Sequence, residues 1–220
     1  MGTVTIAATY GAGGSLVGPA VAKRLNLPFV DRAIPVDLAE KMHDPLVAAV
    51  TDESESGSSV GRLLNSALGY TGLFAGVPLG DEQLGVVPDV AQTENAIRGL
   101  AGAGGAVILG RAGVFVLKGF PDVLHVRLDG DVEARRQAAM VRDGLDYKSA
   151  AKKQQATDHA RRSYVTHFYP RAGAWEDPRH YHLVLDSTAI SIDACVELIS
   201  RAAKDVFARS AAAHTSRGRA

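Results

Sequence analysis

The first thirty residues constrain this chain most. A β-branched start, Thr3-Val4-Thr5-Ile6, passes through small residues into Tyr10-Gly11-Ala12-Gly13-Gly14-Ser15. An apolar pattern of helical period follows at Leu16, Val17, Ala20, Val21 and Leu25. Asn26 closes it, and Leu27-Pro28-Phe29-Val30-Asp31 begins a second strand. Strand, glycine loop, helix, strand is the opening of a parallel α/β sheet. Glycines after a strand let the backbone bend tightly and approach a ligand closely. Inward-facing N–H groups and a helix start then suit an anion such as phosphate. The longer phosphate-loop pattern GxxxxGK[ST] carries a lysine after its last glycine. Here the loop is shorter and no lysine follows Gly14, so cationic charge must come from elsewhere. The plain alternative is a tight strand-to-helix turn that binds nothing.

Composition narrows the class. The 220 residues suit one domain, with 46% hydrophobic and 22% charged residues. Lys plus Arg and Asp plus Glu each number 24, so no net charge argues for a nucleic-acid partner. The single cysteine, Cys195, excludes an internal disulfide and a cysteine-based zinc site. It falls in an apolar helical pattern and is expected to be buried. No apolar run reaches the roughly 20 residues that span a bilayer. The start of the sequence lacks the basic and apolar regions of a signal peptide, so a cytoplasmic protein without a membrane partner is expected.

Beyond Val90 the pattern alternates. Residues 91–101 read as a helix, 105–110 as a buried strand, and 122–128 as a fourth strand. Two polar helices are expected over 131–143 and 148–164, a fifth strand over 182–186, and an amphipathic helix over 192–207. The expected fold is therefore a three-layer α/β/α domain around a five-stranded parallel sheet, over residues 1–208. Residues 209–220 are basic and poor in apolar groups, and read as a disordered tail. The segment 33–88 mixes helical patches, a Ser/Glu-rich break and scattered glycines. It fits a surface connection and a mobile substrate-binding insert equally.

In open α/β sheets the ligand crevice lies at the carboxyl ends of the strands. Asp31 and Arg32 end the second strand there, and Gly110-Arg111 ends the third. A guanidinium in such a crevice forks onto phosphate oxygens. Arg135, Arg136 and Arg142 share one polar helix; Lys152, Lys153, Asp158, Arg161 and Arg162 share the next. Two cationic helices over a crevice suit a phosphoryl-transfer lid. They equally suit a solvated hairpin laced with surface ion pairs.

Four stretches together resemble the cytidylate kinase-like family of phosphate-loop kinases. They are Gly11-Ala12-Gly13-Gly14-Ser15 with Phe29-Val30-Asp31-Arg32; Val107-Ile108-Leu109-Gly110-Arg111; Asp158, Arg161 and Tyr164; and Leu185-Asp186-Ser187-Thr188 with Ile190-Ser191-Ile192-Asp193. The resemblance implies a phosphate-loop NTPase fold and transfer of the ATP γ-phosphate, with Mg²⁺, to a pyrimidine nucleoside monophosphate such as CMP or dCMP. It implies that Gly11, Ala12, Gly13, Gly14 and Ser15 hold ATP, with Ser15 reaching Mg²⁺. Asp31, Arg32 and Arg111 would bind the acceptor, with 33–88 as an acceptor-binding insert. Asp158, Arg161 and Arg111 would be catalytic, with 131–175 as the lid, and Arg127, Arg142 and Arg162 lesser candidates. Gly14 stands where cytidylate kinases carry the loop lysine, an absence general in the cytidylate kinase-like family. Gln154 stands where cytidylate kinases carry a further lid arginine. The departures leave two alternatives: a nucleotide-binding module with little catalysis, or a kinase for another small hydroxyl or phosphate acceptor. Oligomeric state is not legible in the sequence.

Overall fold

The computed structural model describes residues 2–31, 90–110 and 113–217. Arg32, the 33–88 segment and Arg111 lie outside the described residues.

Five parallel strands form one sheet. They are β1 (Thr3–Ala8), β2 (Phe29–Asp31), β3 (Val107–Leu109), β4 (Val123–Asp129) and β5 (Leu183–Asp186), in the order β2-β3-β1-β4-β5. β1 sits at the centre, and five of its six residues are buried. Its short apolar run reads as continuous because parallel strands are covered on both faces.

Two cores make the three layers. On one face Val4, Ile6, Leu124, Val126 and Leu128 pack against α1 (Gly14–Leu25) and α6 (Ile192–Arg217) through Val17, Val21, Cys195, Ile199 and Ala203. Cys195 is wholly buried there, as its apolar neighbours lead one to expect. On the other face Ala7, Ile108 and Val123 meet α2 (Val90–Gly102), α3 (Gly113–Val116) and the C-terminal half of α5 (Tyr147–Phe168) through Ile97, Val114, Tyr164 and Val165, together with Trp175 and Tyr181.

Local signals set the helix ends. Asn26 adopts a left-handed conformation (φ 54°), and its N–H closes α1 onto Ala22 and Lys23 carbonyls. Asp131 caps α4 (Val132–Asp143) by accepting from Ala134 N–H, and Gly144 ends it at φ 66°. Asp146 then caps α5 by accepting from Ser149 N–H. A helical hairpin results, standing over the carboxyl end of the sheet. α6 runs to Arg217, well into the segment expected to be a disordered tail. Just before that segment, Val206 and Phe207 pack on the core. The alanines at 211–213 carry the helix on by propensity. Among the described residues no helix is long and apolar enough to cross a membrane.

Candidate phosphate-binding site

β1 ends at Ala8, and the chain bends through residues 9–13 into α1. Gly11 and Gly13 adopt left-handed φ values of 83° and 72°, which side chains disfavour. Space is equally restrictive. A Cβ at Gly11 would fall 2.1 Å from the Arg135 carbonyl oxygen. One at Gly14 would fall 2.8 Å from Ala8 Cβ and 3.1 Å from Leu109 Cδ1. The glycines thus let the hairpin and the sheet close directly onto the loop.

Groups from across the molecule hold the bend. Tyr10 N–H donates to Asp158 Oδ1 (2.8 Å), and Arg135 Nη1 donates to Tyr10 O (2.8 Å). Thr9 Oγ1 donates to Asp129 Oδ1 (2.9 Å). Ser187 Oγ donates to Ala12 O (2.8 Å), and Arg161 Nη1 donates to Ala8 O (2.6 Å). These ties engage the strand end and the first residues of the bend. Among the described residues no acceptor meets the N–H of Gly11, Gly13, Gly14 or Ser15. The start of α1 adds to them: Gly13 offers no side-chain cap, and the first turn holds no acidic residue. A run of unpaired amides at the positive end of a helix is an anion site. The arrangement fits a phosphate.

Beneath the loop the charges are buried and paired. Arg135 Nη1 also donates to Asp158 Oδ2 (2.9 Å), and both residues are almost inaccessible. Arg127 Nη2 donates to Asp129 Oδ2 (2.6 Å), with its guanidinium 4.3 Å above the Trp175 ring. Burial works against ionisation of Asp129. The Arg127 hydrogen bond and charge, Thr9 and the Gly130 N–H outweigh it, and its carboxyl is held below the usual range. On the outer side, Tyr10 Oη donates to Asp143 Oδ2 (2.5 Å). Arg142 and Lys153 stand 5.3 and 6.0 Å from the Tyr10 ring. The Arg142 hydrogen bond, helped by that of Tyr10, overcomes burial and lowers the Asp143 carboxyl to about 2.

The structure brings Gly11, Ala12, Gly13, Gly14, Ser15, Asp158 and Arg161 together. Ser15 is exposed on the first turn of α1. Asp158 and Arg161 lie 3.8 Å apart and face inward to the loop base. Asp31 closes β2 beside Leu109, at the same carboxyl edge. Arg162 pairs instead with Glu176 on the exposed side (2.6 Å). Gln154 is buried; it accepts from Arg136 Nε (3.1 Å) and donates to Val132 O (3.0 Å), tying α5 to α4. Sequence reasoning did not single out Thr9, Tyr10 or Asp129 as site residues; it placed Arg135 among the lid cations and Ser187 in the 185–188 stretch, without a role at the loop for either. Asp129 carried a usable signal, a carboxylate at a strand end next to the glycine loop. Nothing set Arg135 apart from Arg136 and Arg142, because helix periodicity alone does not separate a buried arginine from a solvated one.

Comparison with known proteins now decides the lineage. Residues 3–189 match the model of the cytidylate kinase-like family. The chain belongs to this family. No curated protein matches it. Among solved structures, an uncharacterized protein from Eubacterium ventriosum ATCC 27560 is similar, with a TM-score of 0.64 and 19% identity over 93% of this chain and 99% of that one. A gluconokinase from Sinorhizobium meliloti 1021 gives a TM-score of 0.47 at 16% identity, over 95% of this chain and 97% of its own. A shikimate kinase from Bacteroides thetaiotaomicron gives 0.43 at 12%, over 94% and 98%. The first likeness supports the fold of this family member.

Proposed function

We propose that this member of the cytidylate kinase-like family is an ATP-dependent phosphotransferase acting on a pyrimidine nucleoside monophosphate, CMP or dCMP. One observation carries the reading: Gly11, Gly13, Gly14 and Ser15 present N–H groups unpaired among the described residues at a helix start, in a bend that distant side chains already hold. Donors fixed before the ligand arrives need no reorganisation during reaction, which is what stabilising phosphoryl charge requires. In the proposed step an acceptor phosphate oxygen bonds to the γ-phosphorus. The bond from that phosphorus to its bridging oxygen breaks, and ADP leaves. The loop amides grip the donor phosphates. Mg²⁺, reached through the Ser15 hydroxyl, would offset phosphate charge. Asp31, Arg32 and Arg111 are the proposed acceptor contacts. Asp158 orients Tyr10 and Arg135, and Arg161 stands at the loop edge to meet transferred charge.

A second reading, a nucleotide-binding module with little turnover, has its own support. No lysine follows the loop, and the hairpin cations are engaged by carboxylates. Purified protein incubated with ATP, Mg²⁺ and a panel of nucleoside monophosphates and small hydroxyl acceptors separates the readings. ADP release fastest with CMP or dCMP is expected. Release with another acceptor alone would reassign the substrate. An ATP-induced rise in melting temperature with no turnover would establish the module instead.

A further inference from the structure

The edge of the sheet opposite the glycine loop carries a second cationic depression. The turn that leads into β4, the start of β4, the residues before β5 and the outer part of α6 enclose a cavity of about 480 Å³. That volume lies in the range of small-molecule sites. Its floor is apolar, with Val114, Phe120 and Val206, and no Asp or Glu lines it. Lys118, Arg179, His182 and Arg209 stand around it.

The polar groups differ in what they can still bind. Arg179 is committed to Asp177 (2.6 Å) and Arg209 to Asp205 (2.9 Å). Lys118 has no carboxylate within ion-pair reach among the described residues. His125 is a neutral wall: its Nδ1 meets Thr5 Oγ1 at 2.7 Å, and its ring stacks 5.1 Å from that of His182. Burial, with His182 alongside, lowers it to about 4. His182 Nδ1 accepts from the His125 backbone N–H (3.1 Å). The proton of a neutral His182 therefore sits on Nε2, which is left to donate.

We propose that this cavity binds a small organic anion, an apolar ring on Phe120 and Val206 with a phosphate or carboxylate head met by Lys118 and His182. The site is separate from the glycine loop and does not depend on the proposed phosphotransfer. Phenyl phosphate is the probe. Titrated into the full chain and followed by NMR, it is expected to shift the His182 and Phe120 ring signals saturably. Lys118→Glu is expected to weaken that response at least tenfold, and His182→Ala to weaken it while the melting temperature holds. Inorganic phosphate is expected to act on these signals much more weakly. Shifts confined to the glycine-loop amides would overturn the proposal. So would an unchanged response in both variants, or equal affinity for inorganic phosphate.

Discussion

The glycine loop and the α4–α5 hairpin touch, yet they are opposite in electrostatic character. The loop offers donors without acceptors among the described residues, the N–H groups of Gly11, Gly13, Gly14 and Ser15. In the hairpin the arginines and Lys153 already have acceptors. Arg135 meets Asp158, Arg136 meets Glu133, Arg142 and Lys153 meet Asp143, and Arg162 meets Glu176. The contrast separates two tasks. A ligand phosphate entering the loop displaces only water. Recruiting one of these paired cations to that phosphate requires exchanging a carboxylate partner. Under the proposed function, binding is therefore built into the resting fold, while catalytic charge depends on rearrangement of the hairpin.

The comparison breaks most severely at Asp158. Removing it in Asp158→Ala leaves buried Arg135 with only the more distant Asp129 carboxylate (3.7 Å) and takes away the acceptor of Tyr10 N–H. Loss of a buried partner costs about 3–5 kcal/mol, and denaturant unfolding is expected to show it. Gly14→Lys tests whether the missing lysine can simply be restored. A side chain there runs into Ala8 and Leu109, and overpacking of this kind costs about 1–3 kcal/mol. A lower melting temperature without a gain in turnover is expected, and a faster enzyme would contradict it.

Acid provides a gentler test. Asp143 has a folded-state carboxyl lowered from its ordinary 3.8 to about 2. A depressed carboxyl contributes stability above its unfolded value, and the contribution disappears as pH falls through the folded one. Stability is therefore expected to decline between pH 3.8 and about 2, and Asp143→Asn is expected to flatten that decline in acid titrations followed by circular dichroism. The smallest effect belongs to Arg162→Ala. Its pair with Glu176 is half exposed, and such pairs contribute about 0–1 kcal/mol. An unchanged melting temperature is expected. A drop in kcat at unchanged stability would show that Arg162 leaves Glu176 to meet phosphate.

The same contrast explains what was legible in the sequence. β1, the loop and α1 were readable because local chemistry decides them: β-branched residues, adjacent glycines, then an apolar helical face. The five strands followed from their apolar runs. The hairpin was readable as two helices but not as two environments. Arg135 and Arg136 are neighbours in sequence. One is buried against the Tyr10 carbonyl and the other joins Glu133, and only tertiary packing separates them. Gln154 was noted as a lost cation, whereas its amide bonds both α4 and Arg136. The segment from Arg209 looked like a tail because charge outweighed apolarity. Anchoring of Val206 and Phe207 on the core and the helix propensity of alanine prevailed.

Backbone amide NMR during titration with ATP and Mg²⁺ tests the loop most directly. Saturable shifts of the Gly11, Gly13, Gly14 and Ser15 N–H resonances are expected, larger than those elsewhere on the sheet. Resonances that stay fixed at saturating nucleotide would contradict a phosphate role for these amides.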